Sequence, residues 1–272
     1  MSKLCTRHPR ISAYLLALAA LTTCLPATAA GTPAASARPG IYAAIWEETA
    51  RGAPEISTEE LKAMLSRGGV TVFDARPASE YAAAHIPGSI NLDETRLGRF
   101  TQTYEDRAAA MVVYSNGPFC DLARIKSDEL LSLGYSRVSR YQLGLPFWRL
   151  LGNAAETSLQ GFREIYRTGN AVIVDARSRA EFAAGTVPTA QSILAGEAGR
   201  AKEDRRLRYL DPNTRIVVFA DSARAARGVA EEISRNAFPN SSYFGGTYQE
   251  LKRDKFFVER KPSPYFFDGL TR

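Results

Sequence analysis

The chain has 272 residues, with 35 Lys and Arg against 29 Asp and Glu, and is 45% hydrophobic and 24% charged. That is a globular composition, long enough for one large or two small domains, and it excludes a disordered or collagen-like chain. Three Cys and two His leave little for metal sites, disulfides or catalytic triads.

Residues 1–29 carry Lys3, Arg7 and Arg10, then the apolar run Ile11 to Leu21, and end after Pro26 in Ala27-Thr28-Ala29. This is the pattern of a secretory signal peptide with a small-x-small cleavage site. The run is shorter than the roughly 20 apolar residues that span a bilayer. A periplasmic or secreted protein is expected, with no membrane span. A lipid anchor at Cys24 is not expected, because Thr23 stands where a lipoprotein signal has a small residue. Cleavage would remove Cys5, Cys24, His8 and half of the net charge of +6, leaving Cys120 and His85. One Cys and one His make neither an internal disulfide nor a Cys/His zinc site, and any triad would run through His85 alone. No metal and no cofactor are expected. Nucleic-acid binding has no support beyond scattered arginines.

Residues 30–54 begin with the small, Pro-rich stretch Ala30 to Gly40 and are expected to form a disordered leader. A degenerate repeat follows. Val70-Thr-Val-Phe-Asp74-Ala-Arg76, Glu80-Tyr81 and His85-Ile-Pro87-Gly88 recur as Ala171-Val-Ile-Val-Asp175-Ala-Arg177, Glu181-Phe182 and Thr186-Val-Pro188-Thr189. Met111-Val-Val-Tyr114 likewise matches Ile216-Val-Val-Phe219, and the units close on Leu143-Gly144 and Gly245-Gly246. Two domains are expected, over 55–152 and 158–255, followed by an aromatic-rich tail over 256–272.

Within a unit, Ser57 with Glu60 three residues on has the form of a capping box. Leu61, Met64 and Leu65 supply a helical apolar face, and Arg67-Gly-Gly69 ends it. Val70–Phe73 and Met111–Tyr114 are short, apolar and β-branched or aromatic, as buried parallel strands are. Ala123, Ile125, Leu130, Leu131 and Leu133 predict an amphipathic helix ending at Gly134. Strands alternating with helices predict an α/β fold with mostly parallel sheets flanked by helices. The mixed-charge segment Gly199 to Arg208 is expected to be a solvated helix or loop. The aromatics Phe256, Phe257 and Tyr265 to Phe267 are expected to dock on a domain face or between the domains, or to meet a partner.

Taken together, these residues resemble the rhodanese-like domain, here in tandem. Asp74-Ala-Arg76-x3-Glu80-Tyr81-x3-His85-Ile-Pro-Gly-Ser-Ile-Asn-Leu92, the strand Val112-Val-Tyr114 with its loop, and Leu133-Gly-Tyr-Ser-Arg-Val138 leading to Gly144 and Trp148 carry the resemblance in the first unit. The second keeps Asp175-Ala-Arg177, Glu181-Phe182, Pro188 and Gly245-Gly246. The resemblance implies five-stranded α/β domains with a ligand loop between the central strand and the next helix. In active members that loop opens with a cysteine, which takes a sulfane sulfur from thiosulfate or a similar donor and passes it to a thiol or cyanide. Loop N–H groups and the helix N-terminus would cradle the anion and stabilise the persulfide.

Both units depart from this pattern. The first loop reads Ser115-Asn116-Gly117-Pro118-Phe119-Cys120, with Ser115 where the resemblance expects cysteine. Serine is a poor nucleophile without an activating base. The second has Ala220, then Asp221 where an anion would sit, with Arg224 and Arg227 partly offsetting it. The second domain is therefore expected to be inactive. Cys120 is read either as a relocated persulfide carrier or as a supporting loop cysteine. Asn116, Gly117, Arg76 and Arg224 are candidate loop or anion-binding residues, although Arg76 and Arg177 also fit pairing with Asp74 and Asp175. His85 is expected to be structural. A phosphatase reading fails on spacing, since Arg124 follows Cys120 by four residues and Lys126 by six. Two functions remain open: a binding module for a small sulfur-containing anion or an extracytoplasmic partner protein, with sulfur transfer weak or lost, and a sulfurtransferase or sulfur carrier working through Cys120.

Overall fold

The computed structural model describes residues 52–92, 97–207 and 214–257. The signal peptide expected at 1–29, nearly all of the expected leader and the tail beyond Phe257 lie outside the described residues. The first domain runs α1 (Thr58–Arg67), β1 (Val70–Asp74), α2 (Ala78–Ala83), β2 (Ile90–Asn91), α3 (Leu97–Thr103), β3 (Ala110–Tyr114), α4 (Leu122–Ser132), β4 (Val138–Tyr141) and α5 (Gly144–Leu150). The second runs β5 (Ala155–Thr157), α6 (Leu159–Thr168), β6 (Ala171–Asp175), α7 (Arg179–Ala184), β7 (Gln191–Ser192), α8 (Ala198–Glu203), β8 (Arg215–Phe219), α9 (Ala223–Arg235), β9 (Ser241–Phe244) and α10 (Tyr248–Asp254). Among the described residues no helix is long and apolar enough to cross a membrane.

Both sheets are parallel, in the orders β2-β1-β3-β4 and β5-β9-β8-β6-β7. Alternation along the strands builds a core on each face. In the first domain Val72, Val112 and Tyr114 pack with Leu61 and Trp148, while Phe73, Met111 and Val113 pack with Phe100, Ala123 and Leu130 on the other side. In the second, Val174, Ile216 and Val218 meet Val229 and Ile233, and Ile173, Val217 and Phe219 meet Phe162 and Tyr248. Helices on both faces are the condition under which a parallel sheet is stable.

The capping box forms as its sequence predicts: Glu60 N donates to Ser57 Oγ (3.1 Å) and Ser57 N to Glu60 Oε2 (2.7 Å). The amphipathic helix is α4, with Ala123 and Leu130 buried, although Ile125 on it and Leu133 just past its end are exposed. The strand count differs from expectation in the first domain, which has four strands. Its fifth is reduced to a bridge at Glu55, where Ile56 N donates to Arg140 O (2.9 Å) and Arg140 N to Pro54 O (2.8 Å). Pro54 has no N–H with which to extend the ladder. The second sheet takes its first strand from 155–157, ahead of the repeat edge at 158. The mixed-charge segment forms α8 and a turn in which Arg206 pairs with Asp204 (2.8 Å) and Glu197 (3.2 Å). The first two tail aromatics do dock: Phe256 packs on Phe162 and Tyr166, and Phe257 on Tyr166.

One motif organises both domains. Arg76 donates from N and Nε to Asp74 Oδ1 (2.9 Å each), from Nη2 to Asp74 Oδ2 (2.5 Å) and onward to Ala84 O (2.6 Å). Arg177 repeats this with Asp175 (3.0, 3.0 and 2.7 Å) and Gly185 O (2.8 Å). Both aspartates are fully buried. A remaining lone pair on each is satisfied differently. Tyr114 Oη donates to Asp74 Oδ2 (2.7 Å), whereas Phe219 has no hydroxyl and Thr186 Oγ1 donates to Asp175 instead (2.7 Å).

The domains are sewn together at 153–161. His85 and Glu156 exchange backbone hydrogen bonds (2.9 and 2.8 Å), Thr157 Oγ1 donates to Ala83 O (3.0 Å), and Ser158 N donates to Ala82 O (3.0 Å). A Cβ at Gly161 would collide with the Ala82 carbonyl, so only glycine lets α6 approach so closely. The His85 ring stacks on Tyr81 (3.9 Å between centroids), its Nδ1 donates to Tyr81 O (2.8 Å), and its Nε2 lies 4.0 Å from Glu156 Oε1.

Two outcomes follow. Arg76→Leu strands a buried carboxylate and should cost about 3–5 kcal/mol in urea unfolding, with little rescue by Arg76→Lys, which cannot make the bidentate contact; an unchanged midpoint would contradict the clamp. Burial pushes the His85 imidazole below its ordinary value of 6.5. The unfolded chain therefore binds a proton below pH 6.5 that the fold does not, and stability falls as pH drops through that value. His85→Gln should flatten the decline measured from neutral pH to about pH 5; parallel declines would contradict this.

Candidate functional site

β3 and β8 occupy the same central position in their sheets, and each leads into a loop and then a helix. The loop after β3 has seven residues, Ser115–Asp121, before α4; the one after β8 has three, Ala220–Ser222, before α9. In the first, Leu145 N donates to Ser115 O (3.1 Å), Cys120 N to Gly117 O (3.0 Å) and Gln142 Nε2 to Pro118 O (3.3 Å). Gly117 and Gly144 have φ of +98° and +63°. A side chain at Gly144 would press on the Ser115 carbonyl and stand 2.6 Å from Gly117 N, so the loop rests directly on this turn.

The predicted residues are placed as follows. Ser115 is buried, and its Oγ donates to the Cys120 carbonyl across the loop (3.3 Å). Asn116 is exposed, with its amide donating to Glu80 Oε2 (2.8 Å). Cys120 is a half-buried free thiol at the far end of the loop. Phe119 beside it is fully exposed. Arg76 is not a free loop cation: its Nε and Nη2 are held by Asp74 and Ala84, and its Nη1 lies 3.8 Å from Glu80. Asp121, at the N-cap of α4, makes no capping bond and pairs loosely with Arg124 (3.5 Å). A carboxylate at this mouth competes with any anion drawn to the helix N-terminus.

The second loop is closed in another way. Ala220 is buried, and Ser222 Oγ caps α9 by accepting from Ala225 N (3.2 Å), so the chain enters the helix with no cradle before it. Burial, with the neighbouring Glu181 carboxylate, raises the pKa of Asp221. The hydroxyl of Ser178 holds Glu181 below its ordinary value. Arg224 lies exposed on the first turn of α9. Among the described residues no group of His, Cys, Asp and Glu is arranged to hold a metal ion.

The rhodanese-like domain model matches twice, over residues 57–150 and 158–254. The chain belongs to the rhodanese-like domain family. Among curated proteins, this rhodanese-like chain is similar to the HTH-type transcriptional regulator Rv0324 of Mycobacterium tuberculosis, 37% identical over 108 residues, which span 37% of this chain and 45% of that protein. It therefore spans less than half of that relative's length. It is also similar to human thiosulfate:glutathione sulfurtransferase, 31% identical over 103 residues, covering 33% of this chain and 88% of the relative. A solved thiosulfate sulfurtransferase from Pseudomonas aeruginosa aligns at 20% identity and a TM-score of 0.35, over 77% of this chain and 44% of that one.

Two arginines outside the predicted set sit close to the first loop. Arg149 on α5 and Arg215 at the start of β8 line a cavity with Arg76 and Asn116. Their signal in the sequence is slight: a basic residue beside Trp148 in an apolar stretch, and one opening an apolar strand.

Gly144→Ala should displace the first loop and raise the rate at which Cys120 reacts with a thiol reagent, read by peptide mass spectrometry. Unchanged labelling would show that the turn does not set the loop.

Proposed function

We propose that this rhodanese-like pair is an exported binding module for a small anion or a partner protein, with sulfur transfer weak or lost. The observation that carries the reading is the Ser115 hydroxyl, buried at the position where active relatives are expected to carry sulfur and donating to the loop's own Cys120 carbonyl. Sulfane-sulfur transfer needs a thiolate that attacks the outer sulfur of the donor and keeps it as a persulfide. A serine oxygen forms no such species, and its single proton is engaged in holding the loop shut. Ala220 offers no nucleophile, and a three-residue connection leaves no space for a cradle before α9. The N-terminal residues 1–29 support export.

The half-buried free thiol of Cys120 favours one further reading. Its thiolate would attack the sulfane sulfur of thiosulfate, release sulfite and hold a persulfide for an acceptor thiol. Mass spectrometry of the purified protein after incubation with thiosulfate separates the two. The binding-module reading expects no added sulfur on Cys120, and sulfur transfer appearing on Ser115→Cys. One added sulfur on wild-type Cys120, absent from Cys120→Ser, would overturn it.

A further inference from the structure

The cavity beside the first loop has a volume of about 320 Å³ and is lined by residues of both domains, including Arg76, Glu80, Asn116, Arg149 and Arg215. Its charges are unevenly matched. Arg76 is neutralised by Asp74, and Glu80 is engaged with the Asn116 amide (2.8 Å) and Arg76 Nη1 (3.8 Å). Arg149 and Arg215 form no ion pair among the described residues, and Arg149 Nε is enclosed with no hydrogen-bond acceptor. Burial lowers the pKa of Arg215, and burial with the charges of Arg76 and Arg215 pushes that of Arg149 down to about 9. A guanidinium still keeps its proton at neutral pH. Three arginines against the carboxylates of Asp74 and Glu80 leave the cavity with an excess of positive charge, and the forks of Arg149 and Arg215, one from each domain, have no carboxylate of their own among the described residues. Such an arrangement is costly unless something supplies an acceptor.

We propose that this cavity binds a small, doubly charged oxoanion of the sulfate, thiosulfate or phosphate class between Arg149 and Arg215. Such an anion presents several acceptors to the two planar donor forks and offsets the excess positive charge. The volume lies at the lower end of small-ligand pockets, which suits an anion of a few atoms with some water. The site uses neither Ser115 nor Cys120, so it stands or falls separately from the sulfur-transfer reading. It also bridges the domains, so occupancy adds a contact across the junction that His85 and Glu156 already bond.

The test is thermal unfolding and calorimetric titration of the purified protein with sodium sulfate, thiosulfate and inorganic phosphate, each against chloride at equal ionic strength. At least one oxoanion should raise the melting temperature beyond chloride in a saturable way. The preferred anion among the three identifies the source. Arg215→Gln and Arg149→Met should each weaken binding by about tenfold or more. Without anion, each variant should melt no lower than wild type, because it removes like-charge repulsion; a merely structural arginine would melt lower. Arg215→Lys keeps the charge, loses the fork and should bind with intermediate affinity. No oxoanion effect beyond chloride, or the same effect in wild type and all variants, would overturn the site.

Discussion

The fold depends on a carboxylate at the end of a buried strand. Asp74 closes β1 with no exposed surface, and Arg76, two residues on, turns back to neutralise it and reaches Ala84 at the end of α2. That single guanidinium fixes the end of the strand, the exit of the following helix and the segment that carries His85 back toward the sheet. Since a buried charge is tolerable only when paired and hydrogen-bonded, the pair constrains everything it touches. Asp175 and Arg177 do the same in the second domain. The domains diverge around the clamp and not in it: Tyr114 and His85 of the first become Phe219 and Thr186 in the second, and the threonine hydroxyl replaces the tyrosine hydroxyl on the carboxylate.

The same scaffold holds the two loops, and they are built differently. The first has seven residues, a glycine turn and a seat on Gly144, and its leading side chain is a buried hydroxyl bonded to the loop itself. The second has three residues, with a serine cap and two neighbouring acids. In the proposed account a small anion is held beside the first loop, where Arg149 and Arg215 meet across the domain junction, and position 115 carries a hydroxyl in place of a thiol. Glu80 links these regions, since it accepts from Asn116 in the loop and faces Arg76 of the clamp.

Much of this was legible in the sequence, because it rests on local rules. The repeat, the α/β alternation, the Ser57–Glu60 box and the Asp-x-Arg pairs are patterns of short range, and the pairing of Arg76 and Arg177 was among the readings they allowed. The reduced fifth strand was not legible, although Pro54 marks the place where the ladder stops. Nor was the shortness of the second domain's connection, because helix entry after Ser222 depends on where the chain can reach the sheet. Arg149 and Arg215 lie 66 positions apart and meet only through the packing of the two domains. His85 stacks on Tyr81 within its own segment, but its backbone partner Glu156 belongs to the other domain, and no periodicity announces that bridge.

The most direct test of the account is a crystal of the protein soaked in selenate, with the anion located by its anomalous scattering. The account predicts a selenium peak between the guanidiniums of Arg149 and Arg215, and no peak over the Ser115 to Cys120 loop, which stays closed. A peak within that loop, with Ser115 Oγ released from the Cys120 carbonyl and the junction cavity empty, would contradict it.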